Sequence, residues 1–264
     1  MKKNINSYLL IYLSSLAFFY IFFLYFKHLT GNDSTVAEYL INYEGGFTKR
    51  GIIGQISIIF SRILDLELRF VIYLIQVLFS LLYLFLIYNF FKFYKFNRLT
   101  LLALFSPIFI LYPVAEIEAL GRKDILIPLF FLIYCYFYSI LSIIGLSLLL
   151  IFLFTILLLT HEISIFYLPY FYFVRFLKIK NLKISSFVAY FFISIFFIFI
   201  IYYFFNSPHT EEQINLMCGK LKIIFNENCG MGAFFLDESL STYIAELSLS
   251  FKDVLRALLI VFIG

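Results

Sequence analysis

Three short segments of this chain combine charged side chains in patterns that suit anion binding or proton transfer. In the first, Lys49 and Arg50 lie within a glycine-rich stretch that begins at Glu44. Lysine offers a point charge and arginine a planar fork, and both suit phosphate oxygens. Because glycine lets the backbone approach a ligand closely, the stretch is typical of a phosphate-binding elbow, with Glu44 as a candidate base. The alternative is a flexible turn whose two cations bind lipid headgroups.

The other two segments are a charged turn and a histidine–glutamate pair. The turn ends in Arg122, Lys123 and Asp124, and it is either a second anion site or a set of ion pairs where helices meet water. His161 and Glu162 follow a strongly apolar run. A histidine beside a glutamate at the end of a span can shuttle a proton or orient a substrate hydroxyl. No second histidine follows at zinc-binding spacing, so the sequence predicts no metal site.

Membrane-spanning helices must position these segments. Of the 264 residues, 63% are hydrophobic and 14% charged, whereas a soluble domain usually has about 25% charged residues. This composition excludes a soluble enzyme, a nucleic-acid-binding protein and a disulfide scaffold. Since a crossing helix needs about 20 apolar residues, we predict one all-α domain, a polytopic transmembrane helix bundle. The predicted spans are 8–26, 70–91, 99–115, 125–159 as two, 163–174 as a broken or re-entrant helix, 184–205 and a partial run at 254–264.

Two of these spans have alternatives. The stretch 125–159 is long for one straight crossing, so we expect a break near Ser139, Ser142 and Gly145, and a single tilted span is the alternative. The partial run begins near Val254 and the sequence stops at Gly264. We therefore expect either a re-entrant end or a chain that continues.

Outside the spans, the sequence predicts two large outer segments. The first runs from Lys27 to about Arg69, and within it residues 52–64 carry apolar side chains at helical spacing, with polar side chains on the other faces. This pattern predicts a helix lying in the outer interface. Residues 206–252 form a large outer loop that can cover a site. Its Cys218 and Cys229 can form a disulfide outside the cytoplasm or remain free thiols.

The sidedness follows from lysine and arginine, which concentrate in short cytoplasmic loops. They are dense at Lys2 and Lys3, at 92–98 and at 175–183. Threading the spans places all three segments on one side, with the N-terminus cytoplasmic. The 16 Asp and Glu residues then fall in the outer segments or at their edges, so we expect polar chemistry to face outward.

In this combination of spans, sidedness and clusters, the chain resembles the membrane-embedded polysaccharide polymerases of O-antigen and capsule assembly (Wzy-like), and more broadly the GT-C-type glycosyltransferases of lipid-linked sugars. The segments that carry the resemblance are 46–51, 121–124 and 161–162. The resemblance implies a multi-pass protein of the bacterial inner membrane. Its partners would be a lipid-linked oligosaccharide, membrane lipids and a chain-length regulator or flippase.

The implied reaction transfers a glycan from one polyprenyl diphosphate to a sugar hydroxyl on another. The lipid diphosphate leaves, and Glu44 or His161 accepts the hydroxyl proton, with Glu162 at the same catalytic site. The scheme requires no metal and no cofactor. The groups that would bind the substrate and its diphosphate are Lys49, Arg50, Arg122, Lys123 and Asp124.

Enzymes of the GT-C type normally carry an acidic pair in the first outer loop, where Asp33 and Glu44 lie eleven residues apart in this chain. Two alternative functions remain, a transporter or flippase subunit and a non-catalytic membrane protein. A transporter would place charges along a pathway through its spans. Here Gln76 and Asn89 are the main polar exceptions in the spans, which disfavours transport.

Overall fold

A computed structural model of the chain describes residues 2–29, 34–92, 98–105, 110–117, 119–178, 184–206 and 210–229. Within these ranges the regular elements are all helices, which confirms the all-α class. The α-helices are α1 (Lys2–Leu29), α2 (Ser34–Leu40), α3 (Ile52–Leu64), α4 (Leu68–Phe91), α5 (Arg98–Phe105), α6 (Tyr112–Ala115), α7 (Leu126–Phe137), α8 (Ile143–Thr160), α9 (Leu168–Lys178), α10 (Ile184–Asn206) and α11 (Glu211–Phe225). The 3₁₀ helices Lys123–Ile125 and Glu162–Tyr167 lie directly before α7 and α9.

Three of the described helices are long and apolar enough to cross a membrane. They cover Asn6–Leu29, Leu68–Phe91 and Ile143–Thr160, and they indicate a membrane protein. The total number of crossings stays a prediction. The partial run at 254–264 and the part of the outer loop beyond residue 229 lie outside the described residues.

The described parts of the predicted span 99–115 do not form one helix. Helix α5 ends at Phe105, and α6 comprises only Tyr112–Ala115. Pro113 lies in the first turn of α6, a position that proline tolerates, whereas in a helix interior it removes a hydrogen bond and clashes with the preceding turn. A proline at this position therefore starts a helix and does not continue one.

Residues 138–142 divide the apolar stretch 125–159 into two helices. Helix α7 ends at Phe137, and α8 begins at Ile143. Ser142 caps α8, because its hydroxyl accepts the backbone N–H of Gly145 at 3.1 Å. The chain therefore reverses here, and α8 returns toward the start of α7.

Side-chain contacts define two ends of the packed helices. Asn6 Nδ2 donates to the carbonyl of Lys92 at 2.8 Å, and Arg69 Nη1 donates to the carbonyl of His28 at 3.2 Å, so α1 and α4 are antiparallel. Gln76 donates to the carbonyl of Gly121 at 2.9 Å, which places the start of α7 near the His28 end. We call this end the His28 end and the opposite one the Lys92 end.

Helix α3 buries its small residues together with Ile53 and Ile58, and it exposes its other large apolar residues. The buried positions include Gly54, Ser57 and Ser61. At Gly54, an added Cβ would lie 1.9 Å from the carbonyl oxygen of Ile41, so only glycine permits this approach. The exposed positions are Ile56, Ile59, Phe60, Ile63 and Leu64. An apolar outer face suits lipid, and the predicted placement in the outer interface stays a prediction.

Candidate functional site

A buried ion pair between Arg50 and Glu162 joins the first and third charged segments. Arg50 Nε donates to Glu162 Oε2 at 2.9 Å, and Nη2 donates to Oε1 at 2.5 Å. Each side chain is only 6% exposed. Such a two-bond fork is the strongest arrangement that arginine makes with a carboxylate. Burial opposes ionisation of Glu162, but the hydrogen bonds and charge of Arg50 outweigh it and lower its pKa to about 2.

The backbone at Arg50 is held in an unfavourable conformation by this network. Its φ is 63°, in the left-handed region that non-glycine residues rarely occupy. Lys123 Nζ donates to the Arg50 carbonyl at 2.8 Å, so side chains from two other segments fix this residue. Strained residues of this kind concentrate at functional sites.

Lys123 is the most buried cation of the cluster. Its side chain has almost no solvent contact, and its ammonium lies 5.5 Å from the centre of the Tyr39 ring. Burial lowers its pKa to about 7, and the nearby positive charge of Arg50 acts in the same direction, against the attraction of Glu38 and Glu162. Near neutral pH this amine is therefore partly deprotonated.

Four side chains next to these buried residues form the rim of the cluster. Arg122 lies 3.7 Å from a carboxylate oxygen of Glu38 and 3.3 Å from Asp124, and Asp124 lies 3.6 Å from His161 Nε2. Arg122 and Asp124 are 44% and 46% exposed, whereas Glu38 and His161 are 9% and 11% exposed. The rim thus presents one exposed cation and one exposed carboxylate, with a glutamate and an imidazole beneath them.

The hydrogen bonds of His161 assign a donor role to its ring. Its Nδ1 accepts the backbone N–H of Ile163 at 3.4 Å. Burial lowers the pKa of His161, and the charge of Arg50 adds to the effect, so the ring is neutral at pH 7. With its Nδ1 lone pair engaged, the assigned tautomer carries its proton on Nε2, toward Asp124. In this arrangement His161 can donate to an oxygen, but it is poorly placed to accept a proton.

Glu38 is the site residue that the sequence reasoning missed. It lies on α2 and is nearly buried. Burial raises its pKa, and the negative charge of Asp124 adds to the effect, although Lys123 and Arg122 oppose it. The available signal was a single acid within the otherwise uncharged stretch 34–40. Such an acid, preceding a glycine-rich loop in a membrane protein, warrants a functional hypothesis.

Two residues of the predicted elbow occupy other environments. Glu44 pairs with Arg62 at 3.1 Å and with Lys220 at 3.7 Å, and Lys220 also donates to its carbonyl at 2.7 Å. Glu44 thus belongs to a separate ion-pair group beside α11. Lys49 is buried, so its ammonium does not lie on the open surface.

The glycines of the elbow serve internal packing. At Gly45 an added Cβ would lie 2.1 Å from the carbonyl oxygen of Gln213 on α11. At Gly51 it would lie 2.4 Å from the Tyr43 ring. Helix α11 therefore covers this loop closely, and the glycines permit that contact. A disulfide between Cys218 and Cys229 closes the end of α11, which decides between the two states that the sequence left open.

The chemistry of the cluster is identified neither by a set of metal-ligating side chains nor by a related protein. Among the described residues, no group of three or more His, Cys, Asp or Glu side chains could hold a metal ion. Comparisons with protein-family models, with curated proteins and with solved structures found no match. The function must therefore be inferred from the cluster itself.

Proposed function

We propose that this chain is a glycosyltransferase of the bacterial inner membrane that acts on polyprenyl-diphosphate-linked glycans at the outer face, in polysaccharide polymerisation. The observation that supports the proposal is the convergence of three sequence segments on one charged cluster at the His28 end. The cluster joins cations, carboxylates and a neutral imidazole in one place. Transfer from a lipid diphosphate uses cations and a proton acceptor, because negative charge develops on the leaving diphosphate while a hydroxyl loses its proton.

In the proposed step, an acceptor sugar hydroxyl oxygen attacks the anomeric carbon of the donor glycan. A new glycosidic C–O bond forms, and the bond from that carbon to the diphosphate oxygen breaks. The electron pair of the broken bond stays on the lipid diphosphate, which leaves. The hydroxyl proton passes to a carboxylate of the cluster, so atoms and charges balance.

The geometry favours Glu38 as the proton acceptor over Glu44 and His161. Burial raises the pKa of Glu38 toward neutral pH, and a general base is most effective when its pKa is near the working pH. Glu44 lies outside the cluster, in the separate ion-pair group with Arg62 and Lys220. The Nδ1 lone pair of His161 already accepts the Ile163 N–H. His161 would instead donate a hydrogen bond to a substrate or orient Asp124.

Arg122 is the cation best placed to bind the diphosphate. It is the exposed cation of the cluster, whereas Arg50 is bonded to Glu162 and Lys123 to the Arg50 carbonyl. The buried pair would hold the floor of the site and contribute its field. The polyprenyl tail would lie along the exposed apolar face of α3, which begins two residues after Arg50.

The test is the length distribution of the surface glycan, resolved as a gel ladder. Cells of a deletion strain that lacks the protein should show only single repeat units. Expression of the wild type in that strain, at matched level, should restore the ladder. Neither Arg122→Ala nor Glu38→Gln should restore it. Arg62→Ala is the matched control, because Arg62 is also 44% exposed and paired with a glutamate. An unchanged ladder in the deletion strain would refute the proposal.

A further inference from the structure

A second unusual polar group lies in the α7–α9–α10 region, away from the charged cluster. The Arg175 side chain on α9 is only 5% exposed. Its Nε and Nη1 atoms are buried without a hydrogen-bond partner among the described residues. Its guanidinium carbon lies 4.5 Å from the centre of the Tyr190 ring. The ring contact does not supply an acceptor for the buried Nε and Nη1 groups.

Two tyrosine hydroxyls share this environment. The hydroxyl of Tyr134 on α7 is buried without a hydrogen-bond partner in the described part of the chain. The buried hydroxyl of Tyr190 on α10 approaches the Arg175 guanidinium but makes no hydrogen bond of good geometry there. Tyr134 lies within electrostatic range of both Arg175 and Tyr190. By contrast, Tyr172 bonds to Ser194 at 2.9 Å. Buried polar groups are normally paired, and buried charges almost always are. The Arg175 N–H groups and the Tyr134 hydroxyl are therefore donors that a further group can use, with the Tyr190 hydroxyl beside them.

The position of Arg175 along α9 points to the membrane interface. Lys178, three residues further along, donates to the carbonyls of Tyr138 and Leu141 in the turn between α7 and α8. That turn is at the Lys92 end, so Arg175 lies about 4.5 Å deeper along the helix. The opposite face of α9 exposes Tyr170, Phe173 and Leu177, which offers acyl chains an apolar surface.

We propose that Arg175, Tyr134 and Tyr190 form a binding site for a phosphate group at the Lys92 end of the bundle. Phosphate oxygens accept hydrogen bonds from the N–H groups along the edge of an arginine. Phosphate also carries the negative charge that would neutralise this guanidinium. The phosphate belongs either to the headgroup of an anionic lipid or to free phosphate. The site is separate from the proposed glycosyltransferase site and does not depend on it.

The test uses the full chain in phosphatidylcholine nanodiscs, with or without an equimolar amount of phosphatidylglycerol, and thermal unfolding as the readout. Phosphatidylglycerol should raise the unfolding temperature of the wild type. The affinity for this lipid, titrated in detergent micelles, should fall about tenfold or more in Arg175→Gln, which corresponds to the loss of one charge-assisted hydrogen bond. Protection by inorganic phosphate alone would identify free phosphate as the source, and protection by the lipid alone would identify the headgroup.

Tyr134→Phe separates binding from structure, and it keeps the test valid if Arg175→Gln does not fold. Removing a buried hydroxyl that bonds nothing should leave stability unchanged or raise it. If the hydroxyl binds phosphate, the variant should instead lose part of the lipid-dependent stabilisation. Tyr172→Phe removes a hydroxyl that is already paired and should retain the full lipid response. Equal responses in the wild type and in Tyr134→Phe, or no response to either phosphate source in the wild type, would overturn the proposal.

Discussion

The Arg50–Glu162 pair makes a quantitative prediction about stability. Both side chains are 6% exposed and joined by two hydrogen bonds. Removing one charge therefore leaves the charge of the other residue buried and unpaired. Such changes cost about 3–5 kcal/mol, out of a typical total of about 5–15 kcal/mol. We expect this loss for Glu162→Gln and for Arg50→Gln. The double variant should lose less than the sum of the two single losses, because no unpaired charge remains.

Chemical unfolding in mixed micelles, followed by far-ultraviolet circular dichroism, measures these energies. The Arg62–Glu44 pair is the internal control, since Arg62 is 44% exposed and exposed pairs contribute about 0–1 kcal/mol. The reasoning would be refuted if Glu162→Gln and Glu44→Gln lost the same stability. It would also be refuted by single losses at Arg50 and Glu162 that simply add.

Four further predictions concern Lys123, two glycines and the disulfide. The free energy of unfolding should rise with pH between about 7 and 10.5, by up to about 1.4 kcal/mol per pH unit. In this range the unfolded Lys123, with its ordinary pKa of 10.5, keeps a proton that the folded, buried amine releases near 7. Lys123→Met should remove this slope. Gly54→Ala should cost about 1–3 kcal/mol in an unfolding titration because its Cβ meets the Ile41 carbonyl. Gly219→Ala on α11 meets nothing within 4 Å and should stabilise by about 0.5–1 kcal/mol. Reduction of the Cys218–Cys229 disulfide should speed amide hydrogen exchange in α11, and unchanged exchange would contradict its role as a clamp.

The sequence could indicate which segments share an end of the molecule. Apolar runs separated by charged turns predict helices that run back and forth, so alternate turns meet at the same end. Arg50, Arg122 and His161 follow this logic, and the structure places all three segments together. Residues 138–142 also interrupt the apolar stretch 125–159 where Ser142 provides a cap. These features depend on local pattern, which one sequence records.

The partners within the site could not be predicted, because they depend on packing between distant segments. Arg50 and Glu162 are 112 residues apart, and nothing in either motif indicates that the cation is used internally. The glycines near Arg50 suggest a ligand, whereas Gly45 and Gly54 pack against the backbone carbonyls of Gln213 and Ile41. Periodicity shows that α3 is amphipathic, but it does not show which face meets protein. Glu38 had no motif around it at all.

Transfer by the purified protein tests the central claim most directly. The full chain, reconstituted in nanodiscs, would receive polyprenyl-diphosphate-linked repeat units, and product length would be read by mass spectrometry. The account predicts products longer than one repeat unit with the wild type, with Arg62→Ala and with Glu67→Gln, an exposed acid before α4. It predicts loss of elongation with Arg122→Ala and Glu38→Gln, although both variants remain folded. Wild-type protein that yields no elongated product, or Glu38→Gln that elongates as fast as the wild type, would contradict it.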